Sequence, residues 1–231
     1  MSAVILDDAR KYLIHSLKGK FNSFETKHPW RREWEFTVMH SLHIESYALK
    51  ILARENHLLA EHEIILLRLA AILHDIARLE KTDQHAKLGA ELAKEWLLDR
   101  TDSFLNVDHI DRVAELIRDH SNKDVWENDF SKAVLKDADT LDEIGAMSIF
   151  MAGNWLDKQS PFFFYELRQR LQEVELPYCD RKRAILNTDG ARSILAEKKA
   201  FVENFIAQLT DELQADHQIE QMLLDRSPTN D

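Results

Sequence analysis

The residues of this sequence best suited to chemistry are histidines and aspartates at the ends or on the inner faces of apolar helical segments. The adjacent pair His74 and Asp75 closes a stretch from Leu66 that is apolar on nearly every side, which predicts a buried helix. An ionised aspartate buried without compensation costs on the order of several kcal/mol, so Asp75 must be paired, hydrogen-bonded or bound to a metal. The other histidines and aspartates are the candidate partners.

Inward positions on other predicted helices carry four further residues of these two types: His40, His85, His120 and Asp139. His40, for example, is followed at i+4 and i+8 by Ile44 and Ala48 along one helix face. A lone inward histidine is more often a hydrogen-bonded core residue than a ligand, but six such residues in this order favour a metal site. Imidazoles and carboxylates without thiolates suit Fe, Mn, Zn, Co or Ni.

The elements that position these residues are predicted to be helices, which makes the fold all-α. Of the 231 residues 45% are hydrophobic but only 5 are Gly and 4 are Pro, and apolar residues recur at spacings of three and four. The predicted helices span residues 3–17, 33–56, 61–77, 84–98, 107–120, 130–145, 162–176 and 190–213, with a loop over 21–32 and with Pro177 ending the seventh helix.

The predicted organisation is one helical core followed by a helical extension. Residues 1–157 comprise an N-terminal helix and a core over about 33–157, residues 158–215 form an extension packed on the core, and residues 216–231 form a flexible tail. No internal repeat is visible. Gly89, four residues after His85, predicts a place where a neighbouring segment approaches closely.

Charge and cysteine content limit the partners and the compartment. The net charge of -11 argues against binding to a nucleic acid polymer or an anionic membrane. The single cysteine, Cys179, excludes an internal disulfide and fits the cytoplasm. No segment approaches the roughly 18 apolar residues of a membrane span, and no targeting signal is visible. A homodimer is compatible with the sequence, which does not decide the oligomeric state.

Five short strings in order carry a family resemblance. They are HSLHI at 40–44, LHDIAR at 73–78, HAKLGA at 85–90, LIRDHS at 116–121 and DADTL at 137–141. Together they resemble the HD-domain metal-dependent phosphohydrolases, over about residues 33–155. The resemblance implies a helical bundle that binds divalent metal ions and hydrolyses a phosphorylated small molecule, with a nucleotide as the expected substrate.

The resemblance also implies a ligand set: His40, His74, Asp75 and Asp139 for the basic metal site, with His85 and His120 as the extra ligands of binuclear members. Asp75 would then bridge two divalent ions, with Mn, Fe, Mg, Co, Ni and Zn not distinguished. His43, one turn after His40, is the alternative first ligand. Ile44 and Ala48 favour His40, because the choice of His43 would place Tyr47 and Ile51 at the corresponding positions.

A two-metal site activates a water for in-line displacement at phosphorus, so no side-chain nucleophile is required. The protein must still neutralise the phosphate. Arg78 and Lys81 follow the metal pair in sequence, and Lys123 follows His120, so these three cations are the predicted substrate-binding residues, with Arg78 also assigned a catalytic role. Arg31 and Arg32 are weaker candidates.

Two aspartates flank Asp139 on the same predicted helix. One helical turn cannot direct Asp137, Asp139 and Asp142 at one ion, so the outer two are expected to lie behind the ligands or to be exposed, with Asp142 the better placed.

Three functions use this ligand set. The first is hydrolysis of a phosphoester or phosphoanhydride in a small metabolite. The second is an HD-type di-iron oxygenase, which ligand order does not separate from a hydrolase. The third, an inactive HD fold that serves as a binding module, is disfavoured because no ligand position is lost.

Overall fold

The structure is a computed structural model that describes residues 2–22, 26–57, 59–80, 83–100, 105–123 and 125–214. Its helices are α1 (Ser2–Leu17), α2 (Trp34–Leu52), α3 (Glu61–Leu73), α4 (His85–Leu98), α5 (Val107–Asp119), α6 (Phe130–Leu141), α7 (Ala146–Gly153), α8 (Phe163–Arg170), α9 (Leu176–Ile185) and α10 (Asp189–Glu212). A 3-10 turn spans Pro29–Arg32, and a π-helical turn spans Leu171–Glu175. The predicted all-α fold is confirmed.

Helix α3 is the centre of the fold and packs against α1, α2, α5 and α6. Its residues from Ile65 to Leu73 are buried except Arg68, as its apolar sequence predicts. The Arg68 guanidinium reaches the buried Glu45 carboxylate of α2 at 2.8 Å, and Arg10 of α1 reaches the same carboxylate at 2.7 Å. This buried charge is therefore compensated from two sides, and it joins three helices.

The chain leaves α3 through consecutive tight turns that carry His74 and Asp75. The backbone N–H of Ile76 donates to the Leu73 carbonyl, and the N–H of Arg78 donates to the Asp75 carbonyl. Helix α4 approaches this segment at Gly89, where a Cβ atom would lie 3.3 Å from the His74 carbonyl oxygen. A larger residue would press on the turn that holds the His-Asp pair.

The predicted helix over 130–145 is wrong in its last turn, because α6 ends at Leu141. Asp142 is extended, and Glu143 takes the left-handed conformation with φ of 59°. The Lys198 ammonium of α10 donates to the carbonyls of Leu141 and Ile144, at 2.9 Å each. A side chain from the C-terminal extension thus holds both ends of the segment that follows α6.

The prediction that a helix stops at Pro177 is also wrong. The chain continues from α8 through the π-helical turn into α9, with Pro177 in the first turn of α9. Within the π turn the N–H of Leu176 donates to the carbonyl of Leu171, five residues earlier. This change of hydrogen-bond register just before the proline accommodates a residue that lacks an N–H.

Residues of the last two helices and the turn between them contribute to the buried interior. Cys179, Leu186 and Leu195 belong to the main buried cluster, and a smaller cluster forms around Leu171 and Val202. The domain boundaries stay a prediction, and the predicted tail over 216–231 lies outside the described residues. Within the described part of the chain, no helix has both the length and the apolar character needed to cross a bilayer.

Candidate metal centre

The six predicted ligands converge at one place. They come from α2 (His40), the turn after α3 (His74 and Asp75), the start of α4 (His85), the residue after α5 (His120) and α6 (Asp139). All of them except His74 line a cavity of about 490 Å³. His74 is completely buried.

Three of the ligands surround the His40 imidazole. Its Nε2 atom lies 3.3 Å from Nε2 of His74 and 3.3 Å from Oδ1 of Asp139. The Oδ2 atom of Asp75 is 3.8 Å from each of these two Nε2 atoms. Nitrogen and oxygen atoms from three separate elements therefore face a common point.

A second group forms on the other side of Asp75. Nε2 of His85 lies 3.3 Å from Nε2 of His120 and 3.4 Å from Oδ1 of Asp75. Nε2 of His120 is 3.7 Å from the same Oδ1 atom. Asp75 thus presents one carboxylate oxygen to each pair of histidines, which is the arrangement a bridging carboxylate requires.

Outer hydrogen bonds fix the orientation of three imidazoles. Nδ1 of His74 donates to the Ala71 carbonyl at 2.8 Å, and Nδ1 of His120 donates to the Ile117 carbonyl at 2.6 Å. Because a carbonyl can only accept, each Nδ1 carries a proton and a neutral ring then presents the lone pair of Nε2 to the cavity. Such outer partners are typical of metal-binding histidines.

His40 has the same arrangement with a carboxylate as its outer partner. Its Nδ1 atom lies 2.7 Å from Oδ2 of Asp142. The structure therefore places Asp142 behind His40. It places His43 further out and half exposed, with Nδ1 3.4 Å from Oδ1 of Asp142. Asp137 faces away and accepts hydrogen bonds from Asn187 and Thr188.

These donors fit divalent metal ions. The Nε2 atoms of His40 and His74, and those of His85 and His120, lie 3.3 Å apart beside carboxylate oxygens, so each pair can direct two lone pairs at one shared cation. Three sets of ligand atoms lie within 4.8 Å of one another: His40, His74 and Asp75; His74, His120 and Asp139; and Asp75, His85 and His120. The nitrogen and oxygen composition suits first-row transition metals.

Electrostatics favour a cation here. Burial lowers the pKa of His74, and it lowers the pKa of His120 to about 4, so both rings are neutral near pH 7. Burial also lowers the pKa of His40, but hydrogen bonds with Asp139 and Asp142 outweigh burial and raise that pKa to about 10. The negative field that would hold a proton on His40 also attracts a metal ion.

The carboxylates stay ionised despite their burial. Burial raises the pKa of Asp75, but electrostatic interactions with the neighbouring histidines, His74 first, outweigh burial and lower the pKa to about 2. Burial likewise raises the pKa of Asp139, and the Lys123 ammonium is the largest influence holding it well below its usual range. Both carboxylates are therefore available as ligands at neutral pH.

Two of the predicted substrate-binding cations, Arg78 and Lys123, lie next to candidate ligands. Nη1 of Arg78 lies 3.2 Å from both ring nitrogens of His85. Nζ of Lys123 lies 2.6 Å from Oδ2 of Asp139. Arg78 and Lys123 both line the cavity. Lys81 lies outside the described residues.

A comparison with protein families matches residues 37–144 to the HD domain. Residues 37–144 therefore form an HD domain. All six ligand candidates, Arg78 and Lys123 lie within the matched segment. A comparison of the sequence with curated proteins gave no match.

Solved structures similar to this HD-domain protein share its fold. They include Bacillus subtilis YpgQ in complex with ADP, with 22% identity over 93% of this chain and 98% of that chain and a TM-score of 0.57. A predicted HD superfamily hydrolase from an uncultured Thermotogales bacterium has 20% identity over 89% and 91% and a TM-score of 0.58. Lin1889 from Listeria innocua has 17% identity over 93% and 98% and a TM-score of 0.55.

The cavity also has lining residues that the sequence analysis did not identify or ranked low. Arg31 ranked low, and Glu143, Tyr178 and Lys182 were not identified. Glu143 lies at the edge of the HD domain, and Tyr178 and Lys182 lie in α9, beyond it. The basic and aromatic connector before α2 gave a weak signal for Arg31. The other three become neighbours of the ligands only through tertiary packing.

Proposed function

We propose that this HD-domain protein is a metal-dependent phosphohydrolase that cleaves a phosphoester or phosphoanhydride of a small phosphorylated metabolite, specifically a nucleotide. The observation that carries the proposal is the placement of Asp75, whose two carboxylate oxygens face two different pairs of histidines. A carboxylate so placed suits two ions, and the family binds divalent metals.

The proposed ligand roles follow the two groups around Asp75. His40, His74 and Asp139 would hold one ion, His85 and His120 would hold the other, and Asp75 would contribute to both. Divalent ions in such a site activate water and stabilise the attacking and leaving oxygens of an in-line displacement at phosphorus. Asp142 keeps the proton of His40 on Nδ1 and so directs Nε2 into the site.

Arg78 and Lys123 are the proposed phosphate-binding residues of the described cavity. Both carry positive charge next to ligand side chains, at His85 and Asp139 respectively. A phosphate held at the metal centre would meet these cations at its remaining oxygens, since charge-assisted hydrogen bonds to phosphate are strong. Lys81 is proposed for the same role from its place in the sequence.

Three observations support a nucleotide as substrate. The family resemblance favours nucleotides among small phosphates. The cavity of about 490 Å³ is within the range of small-molecule sites and far exceeds the space that one phosphate group fills. YpgQ, whose fold is similar, was crystallised with ADP. The net charge of -11 argues against a nucleic acid polymer as the substrate.

The test is phosphate and pyrophosphate release from a panel of nucleotides by the protein loaded with Mn²⁺, with and without dioxygen. We expect release without dioxygen, and a loss of at least about 10³-fold in kcat/KM for Asp75→Ala and His74→Ala, because metal-assisted catalysis contributes several kcal/mol. His62→Ala, at an exposed histidine outside the cavity, is the matched control. Equal activity in wild type and Asp75→Ala would contradict the assignment, and dioxygen consumption without phosphate release would favour the oxygenase.

A further inference from the structure

The cavity has two walls of different origin. The inner wall carries the metal ligands of the HD domain. Much of the outer wall comes from residues before and after that domain: Asn22, Arg31 and Phe36 precede it, and Tyr178 and Lys182 follow it in α9. Glu143, near the end of the matched segment, lies between these contributions. The part of a ligand that extends away from the metal centre must meet this outer wall.

Arg31 and Glu143 form a donor and acceptor pair on the outer wall. The Arg31 guanidinium donates through Nε to Oε1 of Glu143 at 2.9 Å, and it forms a second, short contact through Nη2 with Oε2. Cζ of Arg31 also lies 6.0 Å from the centroid of the Phe36 ring. Arg31 and Glu143 are 112 positions apart in the chain, so the tertiary fold alone makes them neighbours.

The backbone at Glu143 has an unusual conformation. Its φ of 59° lies in the left-handed region, which residues with a Cβ atom seldom occupy. Such conformations persist where the surrounding structure holds them, and they cluster at ligand-binding and active sites. Here the residue lies directly after Asp142, the outer partner of His40, and its side chain meets Arg31 at the cavity.

Tyr178 adds an aromatic surface beside this pair. Its side chain is about 39% exposed and lines the cavity, and Nζ of Lys182 lies 5.3 Å from its ring centroid. Burial raises the pKa of Tyr178, so its phenol is neutral near pH 7. A neutral aromatic ring next to hydrogen-bonding groups is the chemistry that recognises a planar heterocycle: the ring stacks on one face, while polar groups bind the edge.

The carboxylate of Glu143 favours a site for a planar heterocycle over a second phosphate site. A carboxylate repels a phosphate, whereas it accepts hydrogen bonds from the N–H groups of a nucleobase. Arg31 keeps N–H groups beyond the two that it donates to Glu143, and these suit the carbonyl or ring-nitrogen acceptors of a base. We propose that Arg31, Glu143 and Tyr178 form a nucleobase-binding subsite that selects the substrate of the metal centre. The selecting role rests on the proposed nucleotide hydrolysis.

The kinetic test compares nucleoside triphosphates with inorganic tripolyphosphate, which lacks a base. We expect Tyr178→Ala to raise KM for the preferred nucleotide at least about tenfold, with a kcat change below about threefold, because stacking contributes to binding of the base. The loss in kcat/KM should be at least tenfold larger for the nucleotide than for tripolyphosphate. Tyr178→Phe, which keeps the ring, should restore most of the affinity. Tyr165→Ala, outside this cavity, is the matched aromatic control.

Arg31→Gln and Glu143→Gln test the edge contacts without removing the ring. Each should raise KM for the nucleotide more than for tripolyphosphate and change the order of preference among bases, which a loss of folding alone would not do. If Tyr178→Ala fails to fold, as judged by its thermal unfolding curve, these two variants decide the question. Unchanged KM and unchanged base preference in all folded variants would overturn the subsite.

A binding measurement separates this inference from the proposed function. Saturation-transfer NMR with adenosine, guanosine, cytidine and uridine, which carry no phosphate, should show contact with base protons in wild type and its loss in Tyr178→Ala and Glu143→Gln. Nucleoside binding without any phosphate release would leave the subsite standing and remove the hydrolase. Nucleotide hydrolysis with equal nucleoside signals in wild type and variants would support the hydrolase and overturn the subsite.

Discussion

Two clusters of polar residues join helices in this protein. One consists of paired opposite charges, and the other consists mainly of imidazoles and carboxylates. Around Arg112 of α5, the guanidinium reaches Glu63 of α3 at 2.8 Å and Asp129 at 2.7 Å. Asp129 also caps α6 by accepting from the N–H of Lys132, and Ser131 donates to Glu63. Each of these carboxylates meets positive charge or hydrogen-bond donors.

The candidate metal centre has a different composition. Its inward atoms are the Nε2 atoms of histidines and the oxygens of Asp75 and Asp139, which are atom types that bind metal ions. Lys123 lies beside one oxygen of Asp139, and Arg78 lies beside the His85 ring. A cluster that balances its own charges stabilises the fold, whereas a buried cluster of imidazoles and carboxylates can bind a cation from solution. That difference separates the structural site from the functional one.

The largest expected difference between the clusters is their response to metal removal. A metal held at about 100 times its dissociation constant stabilises the folded state by about 2.7 kcal/mol. We expect a chelator to lower the free energy of unfolding of the wild type by about this amount, and to have the same effect in Arg112→Met. The measurement is urea unfolding with and without the chelator. A chelator effect that disappears in Arg112→Met would show that the two clusters are not independent.

The next effect concerns the outer partner of His40. Asp142→Asn keeps an acceptor for Nδ1 of His40 but removes the negative charge, and loss of such partners weakens metal binding about 10- to 100-fold. Competition with a fluorescent chelator measures the change. Asp137→Asn is the matched control, because Asp137 faces Asn187 and Thr188. Equal metal affinity in wild type and Asp142→Asn would contradict the role of Asp142.

Removal of Arg112 should affect stability and spare metal binding. Arg112→Met leaves Glu63 and Asp129 without their main partner, which we expect to cost about 1–2 kcal/mol in the free energy of unfolding. Metal content should stay as in the wild type. Arg118→Met, at an exposed position of the same helix, should change stability by less than about 0.5 kcal/mol. Loss of metal from Arg112→Met would show that metal binding depends on the Arg112 cluster.

The smallest effect is the pH dependence that Asp129 contributes. Burial raises the pKa of Asp129, but hydrogen bonds from Arg112 and Lys132 outweigh it and lower that pKa below 3.8. A lowered folded-state pKa adds stability above the unfolded value, and the contribution disappears as pH falls through the lowered pKa. Between about pH 5 and 3, the free energy of unfolding should therefore fall less in metal-free Asp129→Asn than in metal-free wild type. The difference should be below about 1 kcal/mol. Parallel curves would contradict this.

The sequence predicted the helical fold and the six residues that the structure brings together, because helix-end histidines and aspartates next to apolar stripes are local patterns. It did not predict the turn from Asp142 to Gly145, whose left-handed Glu143 has no signature in its residue type. It also missed the continuation of the helix through Pro177, which depends on one turn of π-helical hydrogen bonding. The contact between Arg31 and Glu143 joins distant parts of the chain, so no local pattern encodes it.

The most direct test of the central claim is the metal content of purified protein after dialysis against Mn²⁺, measured by mass spectrometry for wild type, Arg112→Met and His85→Ala. We predict about two ions per chain in wild type and Arg112→Met. We predict about one in His85→Ala, because Nε2 of His85 lies 3.4 Å from Oδ1 of Asp75, the oxygen that also faces His120. Less than one ion per chain in the wild type, or the same count in wild type and His85→Ala, would contradict the account.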